Sequence, residues 1–349
     1  MAELLTQSLA QSMPIGIALT LLAGLMSGNC MLPMKFNRHW KWENTWLVFS
    51  IVSLILLPCG LALGLVDRLF AIYSTLSPVQ IAVPFLFGMG WGIAQVLFGI
   101  SVQRLGLGLA YAIIVGLGAL LGTLVPLFVQ HRAQVGEHAL LEILLGVAVM
   151  VFGISLSTWG GQIRERGDRH GDRRDTNSMT ESGYLAAVLL AIVCGVMAPM
   201  LNYSFAFGQD IAHQAVRLGN TELHAAYAVW PVGLAGGFVP NIAYSLYLLR
   251  KNRSWEMFRP GMPDMFLSIL MGVLWMGAFA LYGMSATFLG SLGTSVGWGL
   301  FQIFMIMTAT LSGVWTGEWK HAPGKARALL ASGLACLTCA TGLLAAANL

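Results

Sequence analysis

Long apolar runs without charge dominate this chain of 349 residues, and short charged connections separate them. The stretches without Asp, Glu, Lys or Arg are residues 4–34, 44–66, 69–103, 105–131, 143–163, 182–209, 223–249, 265–317 and 328–349. A helix needs about 20 residues to cross the hydrocarbon core of a bilayer. The run from 265 to 317 is long enough for two spans, divided at Gly290-Ser291-Leu292-Gly293, so the pattern predicts ten spans.

The apolar runs have neither the polar face of a soluble amphipathic helix nor the strict alternation of a membrane β-barrel strand. In lipid, a helix satisfies all its backbone hydrogen-bonding groups within one segment. We therefore predict an all-α integral membrane protein with ten transmembrane helices. Composition agrees, because 57% of the residues are apolar, 10% are charged and the mean hydropathy is +0.73. An ordinary soluble domain is about 25% charged.

Positive charges are unevenly divided between the two sides of the predicted bundle. The connections that follow spans 1, 3, 5, 7 and 9 carry all the Lys and Arg residues except Arg68, Arg132 and Arg217. Because such residues concentrate on the cytoplasmic side of membrane proteins, we expect both termini to be non-cytoplasmic. The net charge of +4 lies in these connections and indicates no nucleic-acid partner.

Two segments of the chain match without a gap at an offset of 184 residues, namely 88–106 and 272–290. The identical pairs are Gly88/Gly272, Trp91/Trp275, Ala94/Ala278, Leu97/Leu281, Gly99/Gly283, Ser101/Ser285, Leu105/Leu289 and Gly106/Gly290. Each half of the chain holds an odd number of spans, so the second copy enters the membrane in the opposite orientation. Two inverted five-helix repeats are a transporter architecture, with a midplane site that opens alternately to each side.

A charged segment, residues 164–181, separates the two halves. It combines Arg and Asp with Gly, Asn and Ser, a composition that neither packs nor spans a membrane. We predict a first five-helix repeat at 1–160, a cytoplasmic linker at 161–182 and a second repeat at 183–349.

All five cysteines lie inside predicted spans and their number is odd, which favours buried free thiols over disulfides. Cys336 and Cys339 have the spacing of half a zinc site, but no second pair or His lies nearby in sequence, so we predict no metal and no cofactor. A phosphate-binding Gly-Lys-Ser/Thr loop and clustered catalytic side chains are also missing from the sequence. Transport is therefore favoured over an intramembrane enzyme.

Several local patterns resemble one family, the L-rhamnose/proton symporters of the drug/metabolite transporter superfamily. The matching patterns are Leu32-Pro33-Met34-Lys35, Trp40-Lys41-Trp42-Glu43 with Trp46, Leu57-Pro58, Phe85-Leu86-Phe87-Gly88 with Trp91-Gly92-Ile93, and Gly317-Glu318-Trp319. The resemblance implies proton-driven uptake of a small neutral sugar, L-rhamnose or a similar monosaccharide, across the bacterial inner membrane. The alternative within the superfamily is a metabolite or drug exporter or exchanger, and sodium remains open as the coupling ion.

Four amides inside apolar runs are candidate substrate ligands: Asn29 in span 1, Gln95 in span 3, Asn202 in span 6 and Gln302 in span 9. An amide without a partner is costly in an apolar environment. A sugar would supply hydroxyl partners, and the resemblance places a central cavity among these spans. The alternative for each amide is a hydrogen bond to a neighbouring helix.

Four aromatic residues are candidate walls of the same site. The repeat-equivalent Trp91 and Trp275 could stack on opposite faces of a substrate, with Tyr111 and Trp230 beside them. Large rings also commonly fill the space beside small residues at helix contacts, which is the alternative.

Charged side chains near the span ends are candidates for proton coupling and gating. Asp210 and His213 follow span 6 one helical turn apart, where they could perturb each other's protonation and sense the outside proton. The alternative is a solvated loop pair. Lys35, Glu43 and Glu318 lie at the cytoplasmic ends of spans 1, 2 and 9 and could form an inner gate of ion pairs, or else anchor the interface.

Overall fold

The computed structural model describes residues 2–168, 181–259 and 261–347, which contain ten helical segments long and apolar enough to cross a membrane and no β-strand. The helices are Ala2–Asn29 and the 3₁₀ turn Leu32–Phe36 (span 1); Trp42–Ile51, the π turn Val52–Leu56 and Leu57–Leu65 (span 2); Pro78–Leu105 (span 3); Leu107–Pro126 and the π turn Leu127–His131 (span 4); Glu137–Asp168 (span 5); Glu181–Met197, Met200–Ala206 and Gln209–Arg217 (span 6); Glu222–Ala225, the 3₁₀ turn Ala226–Ala228 and Trp230–Lys251 (span 7); Met262–Phe288 (span 8); Val296–Trp315 (span 9); and Gly324–Ala346 (span 10). The predicted fold class is confirmed.

The described parts of the connections contain short elements. Leu69–Thr75 is a helix between spans 2 and 3, and Arg132–Gln134, Trp255–Phe258 and Gly290–Leu292 are 3₁₀ turns. The last of these lies at the predicted division between spans 8 and 9. Of the predicted linker, residues 169–180 lie outside the described part of the chain, and its two edges are helical. The division into 1–160, 161–182 and 183–349 stays a prediction.

Prolines mark the places where spans 1, 2 and 6 lose regular helical geometry. Pro33 lies in the 3₁₀ turn that ends span 1, and Pro199 precedes the second helix of span 6. Pro58 follows the π turn of span 2. Because proline lacks the backbone N–H donor and clashes with the carbonyl four residues earlier, it weakens the regular α-helix at these places.

The contacts that a span of the first half makes recur for the span five places later in the second half. Span 1 packs against spans 8 and 9, and span 6 packs against spans 3 and 4. Span 3 contacts span 7, and span 2 contacts span 8, while spans 5 and 10 contact each other. Such pairing is expected of two equivalent units, and it supports the inverted repeat, which stays a prediction.

Glycines allow the closest of these contacts. A Cβ atom on Gly88 of span 3 would collide with the carbonyl oxygen of Gly233 on span 7, and one on Gly236 would collide with the carbonyl oxygen of Phe85. Spans 3 and 7 therefore pack backbone against backbone, as membrane helices with small residues at their interface do.

The connections at each end of the bundle bond to one another. We name the end with the connections that follow spans 1, 3, 5, 7 and 9 the basic end, and the end with both termini and the other connections the terminal end. At the basic end, Lys35 in the 3₁₀ turn that ends span 1 pairs with Glu318 after span 9. At the terminal end, Asn220 of connection 6–7 accepts a hydrogen bond from the backbone N–H of Asp67 in connection 2–3, at 2.7 Å. The assignment of the basic end to the cytoplasm stays a prediction.

Candidate functional site

A cavity of about 290 Å³ lies between spans 1 to 4 and 6 to 9. Its walls include Ser27, Cys30, Met31, Trp46, Phe49, Trp91, Gln95, Phe98, Tyr111, Cys194, Asn241, Trp275, Phe279, Trp298, Phe301 and Gln302. Ligand pockets usually measure about 300–1,000 Å³, so this cavity suits a small molecule.

The cavity occupies the middle of the bundle and the half nearer the basic end. Cys30 and Met31 lie close to the basic end of span 1, Trp46 close to the start of span 2, and Tyr111 close to the start of span 4. All three of these span termini belong to the basic end.

Aromatic rings form a continuous wall around Trp275. The ring of Trp275 stacks on Trp91 with centroids 5.4 Å apart, and it contacts Phe49 at 6.0 Å and Phe279 at 4.4 Å. Phe279 in turn contacts Phe301 at 5.5 Å. This wall offers apolar faces to the C–H surface of a ligand.

The structure brings Trp91 and Trp275 together but not as a sandwich. With the rings stacked on each other, no room remains for a substrate between them in this conformation. The hypothesis that they bind opposite faces of a substrate does not describe this arrangement. Their contact joins span 3 to span 8, and both residues line the cavity.

Four polar side chains of the cavity have no hydrogen bond to any part of the chain that the structure describes. They are Ser27, Gln95, Tyr111 and Gln302. Gln302 is only 7% exposed, so its amide has little access to bulk solvent. An amide in such a place costs free energy unless it finds a partner, and a ligand hydroxyl in the cavity can be that partner.

Asn202 and Trp230, predicted as substrate ligands, lie outside the cavity lining. The Asn202 side chain is fully buried, and its Nδ2 donates to the carbonyl oxygens of Gly122 at 3.0 Å and Thr294 at 2.8 Å. Its Oδ1 accepts from the Tyr282 hydroxyl at 2.7 Å. Trp230 stacks on a neighbouring phenylalanine of span 6, with centroids 4.7 Å apart. For these two residues the helix-packing alternative describes the contacts that the structure shows.

Asn29, the remaining predicted ligand, also lies outside the lining. Its side chain is partly exposed and donates to the carbonyl oxygen of Leu25 in its own helix, at 2.8 Å. No contact joins Asn29 to another span among the hydrogen bonds of the described residues.

Asn241 and Trp46 line the cavity and were absent from the predicted ligands. The Trp46 Nε1 donates to the Asn241 Oδ1 at 2.8 Å, which joins span 2 to span 7. Asn241 Nδ2 donates to the Gly237 carbonyl oxygen at 2.8 Å. Asn241 is an amide inside an uncharged run, the same signal that selected the four predicted amides, so the sequence could have indicated it.

Hydrogen bonds join spans 4 and 6 on the terminal side of the cavity. Besides the Asn202 bonds, the Tyr203 hydroxyl donates to the Leu121 carbonyl oxygen at 2.9 Å. Gln130 Nε2 donates to the Ala206 carbonyl oxygen at 3.0 Å. These bonds hold span 6 against span 4 between the cavity and the terminal end.

Asp210 and His213 lie exposed at the terminal end. The Asp210 carboxylate accepts from Gln80 Nε2 at 3.1 Å, which links span 6 to the start of span 3. The described residues show neither a hydrogen bond nor an ion pair between Asp210 and His213 themselves. Their proposed role in proton coupling stays a prediction.

Two of the three predicted gate residues form one ionic cluster at the basic end. Glu318 pairs with Lys35 after span 1 and, at 3.1 Å, with Arg164 at the end of span 5. Arg164 also lies over the Trp319 ring at 4.9 Å. Burial raises the pKa of the Glu318 carboxyl, but the hydrogen bonds and positive charges of Lys35 and Arg164 outweigh burial, and the net pKa is lowered. The cluster therefore stabilises the folded state at pH values above the ordinary carboxyl pKa. This stabilisation is lost as the pH falls through the lowered pKa of Glu318.

The third predicted gate residue, Glu43, is buried and apart from this cluster. It accepts hydrogen bonds from Ser254 Oγ at 2.6 Å and Asn252 Nδ2 at 3.0 Å, both in connection 7–8. Glu43 thus ties the start of span 2 to the other half of the chain.

Asp264, which the sequence reasoning missed, makes the reciprocal tie from span 8. Its fully buried carboxylate accepts backbone N–H bonds from Arg38 at 3.0 Å, His39 at 2.7 Å and Trp40 at 2.9 Å. The signal in the sequence was an acidic residue in the first turn of a span, but its three partners are backbone groups that sequence does not reveal. Glu43 and Asp264 together hold connections 1–2 and 7–8 in place.

Comparison with known proteins gives one consistent result. The family model described as L-rhamnose-proton symport protein (RhaT) matches residues 9–348. The L-rhamnose-proton symporter of Klebsiella pneumoniae (strain 342) is 27% identical over 322 residues, which cover 89% of this chain and 92% of that protein. The symporter of Salmonella enteritidis PT4 (strain P125109) is 28% identical over 327 residues, with the same two coverages. That of Escherichia coli O1:K1 / APEC is 26% identical over 311 residues, or 86% and 88%.

Proposed function

The chain belongs to the L-rhamnose-proton symport protein family, and from this we propose that it imports a small neutral sugar, L-rhamnose or a similar monosaccharide, together with a proton. The sugar occupies the cavity between spans 1 to 4 and 6 to 9, and alternating access exposes it to each side in turn. The structural observation that carries this proposal is the cavity, in which polar side chains with no hydrogen bond to the described residues lie beside an aromatic wall.

The ligand groups of the cavity match the two surfaces of a sugar ring. Gln95 and Gln302 supply amide donors and acceptors for hydroxyls, and Tyr111 adds a hydroxyl. The Trp91–Trp275 pair supplies an apolar face for the C–H groups. Five of the eight predicted substrate residues line the cavity, namely Trp91, Gln95, Tyr111, Trp275 and Gln302. The proposal assigns the sugar contacts to them and to Asn241.

Membership in a transporter family excludes the intramembrane enzyme as an alternative. The chain is a multi-pass membrane protein, as its ten apolar helices indicate. The proposal places it in the bacterial inner membrane with both termini non-cytoplasmic, on the strength of the uneven Lys and Arg distribution.

The first test is the pH outside lightly buffered, de-energised cells or proteoliposomes that carry the protein. We expect alkalinisation on addition of L-rhamnose or one related sugar from a panel, because symport removes a proton from the outside with each sugar. Cells with the empty vector are the control. No alkalinisation with any sugar, from protein shown to be folded, would move the exporter hypothesis to first place, and alkalinisation only in the presence of sodium would reassign the ion.

The proton-coupling proposal for Asp210 and His213 has its own test. Asp210 is a titratable group that bridges spans 3 and 6, both of which line the cavity. We expect Asp210→Asn and His213→Gln to flatten the pH dependence of sugar uptake, while His138→Gln, an exposed histidine near the start of span 5, leaves it as in the parent. Uptake rates from about pH 5.5 to 8 cover the ordinary histidine range. An unchanged pH profile in both variants would remove the pair from the coupling mechanism.

A further inference from the structure

We infer that Asn29 and Asn202 are equivalent gating residues, engaged alternately, and that this structure holds only Asn202 engaged. Asn202 closes the terminal side of the cavity here, and Asn29 closes the basic side in the opposite conformation. The inference rests on the proposed transport function, because only a protein that alternates between two conformations needs two such gates.

The two amides occupy corresponding places in the two halves. Asn29 follows Gly24-Leu25-Met26-Ser27 and Asn202 follows Gly195-Val196-Met197-Ala198, with a difference of two residues in spacing. Asn29 immediately precedes the interruption of span 1, and Asn202 follows that of span 6.

The glycines that begin these segments also pack alike. A Cβ on Gly24 would meet Phe304 of span 9, and a Cβ on Gly195 would meet Leu117 of span 4, the span that corresponds to span 9. Spans 1 and 6 therefore approach their neighbours in the same way, although their amides are bonded differently.

Asn202 is fully engaged. Its amide joins span 6 to span 4 through Gly122, to connection 8–9 through Thr294 and to span 8 through Tyr282. Both N–H donors and one acceptor position are used, in a fully buried site. A bridge between three other parts of the bundle cannot persist when those parts separate, so opening the terminal side must break it.

Asn29 has none of these contacts. Among the described residues, its side chain has a single hydrogen bond, to Leu25 in the same helix, and it is partly exposed. On the basic side, no hydrogen bond, ion pair or ring contact joins spans 1 or 9 to residues 94–115 of spans 3 and 4, among the side chains that the structure describes. The cavity separates these elements instead. We therefore take the basic side as the open side of the cavity in this conformation.

The partners that Asn29 needs are ones that the other half can supply. Two of the three Asn202 partners are backbone carbonyls, which any helix end or turn offers. The position equivalent to Tyr282 is Phe98, which has no hydroxyl. In the opposite conformation Asn29 therefore donates to carbonyl oxygens of span 9 and connection 3–4, without the third bond that Asn202 has.

The test measures access to the cavity from each side. All five native cysteines are replaced by alanine, and Val115→Cys, in the cavity wall on span 4, serves as the reporter. A membrane-impermeant maleimide is applied to right-side-out and inside-out vesicles. We expect Asn202→Ala to raise the rate of labelling from the terminal side about tenfold or more, because it removes three buried hydrogen bonds from the closed terminal gate.

Asn29→Ala has the opposite expected effect. Added to Asn202→Ala, it returns terminal-side labelling towards the parental rate, since the terminal-open conformation then loses its own gate contact. Tyr282→Phe removes one of the Asn202 bonds and raises terminal-side labelling by a smaller factor, so the inference stays testable if Asn202→Ala fails to fold. Gln209→Ala is the matched control, because within the described ranges the Gln209 amide donates only to the Phe205 carbonyl oxygen of the same span.

Two outcomes would overturn the inference: unchanged terminal-side labelling in folded Asn202→Ala and Tyr282→Phe, or a shift in the same direction for Asn29→Ala and Asn202→Ala. The readout needs no sugar and no proton gradient. Opposed labelling shifts with no sugar transport would leave the gates standing and refute the substrate proposal. Sugar symport without labelling shifts would refute the gates and leave the substrate proposal standing.

Discussion

Replacing Gln302 by leucine is expected to weaken sugar affinity about fivefold or more while leaving the thermal stability of the protein unchanged or higher. Gln302 is 7% exposed, lines the cavity and has no hydrogen bond to the described residues. Loss of a buried partner for a sugar hydroxyl costs ~1–3 kcal/mol, which corresponds to roughly 5- to 150-fold in affinity. The substitution removes no hydrogen bond within the described part of the chain, because the amide makes none there.

Sugar binding by calorimetry and the melting temperature in detergent, measured on the same preparation, check this result. Gln103→Leu is the matched control, since Gln103 lies exposed near the basic end of span 3 and outside the cavity. Gln95→Leu is expected to resemble Gln302→Leu. Unchanged affinity in both cavity variants would show that the sugar does not bind these amides, and a large fall in melting temperature would show that Gln302 has a structural role.

Gly88→Ala is expected to lower the melting temperature markedly and to reduce transport, whereas Gly60→Ala is neutral or slightly stabilising. Alanine is the better helix former by about 1 kcal/mol, so both changes favour the helix locally. At Gly88 the new methyl group collides with the backbone of span 7, which cannot move aside as a side chain can. Overpacking of this kind costs about 1–3 kcal/mol or more.

The control position isolates the packing effect. Gly60 lies in span 2, exposed on the bundle surface, and apart from its chain neighbours and its own helix backbone no described atom lies within 4 Å of an added Cβ. Melting curves and size-exclusion profiles of both variants in the same detergent make the comparison. If Gly88→Ala is as stable as the parent, spans 3 and 7 do not pack at the distance that the structure shows.

The predicted amides show how far an apolar run can be interpreted. Each of the four was selected because an amide in a long uncharged segment must find a partner. Gln95 and Gln302 line the cavity with no hydrogen-bond partner in the described chain. Asn202 is bonded to three other parts of the bundle, and Asn29 bonds its own helix. The same residue type in the same kind of segment therefore has three different environments, and the packing of other spans decides which.

Trp91 and Trp275 illustrate the same limit for the repeat. Their equivalence was visible in the gapless match of residues 88–106 with 272–290. Equivalence predicts that both rings lie at similar depths, but the distance between them depends on how the two halves are docked. In this conformation the two rings are stacked with their centroids 5.4 Å apart, so they lie together in one wall of the cavity and not on opposite sides of it.

The sequence by itself determined the ten membrane helices, the connections between them and the family, because the length of an apolar run and a local motif are properties of one segment. Only the tertiary structure decided which polar side chains line the cavity and which ones join spans 4 and 6 on its terminal side. It also decided that Asp264 binds connection 1–2. A hydrogen bond needs its partner within about 3 Å, and for Asp264 that partner is the backbone of residues 38–40 in the other half of the chain. Such contacts depend on how the spans pack together, which no single segment contains.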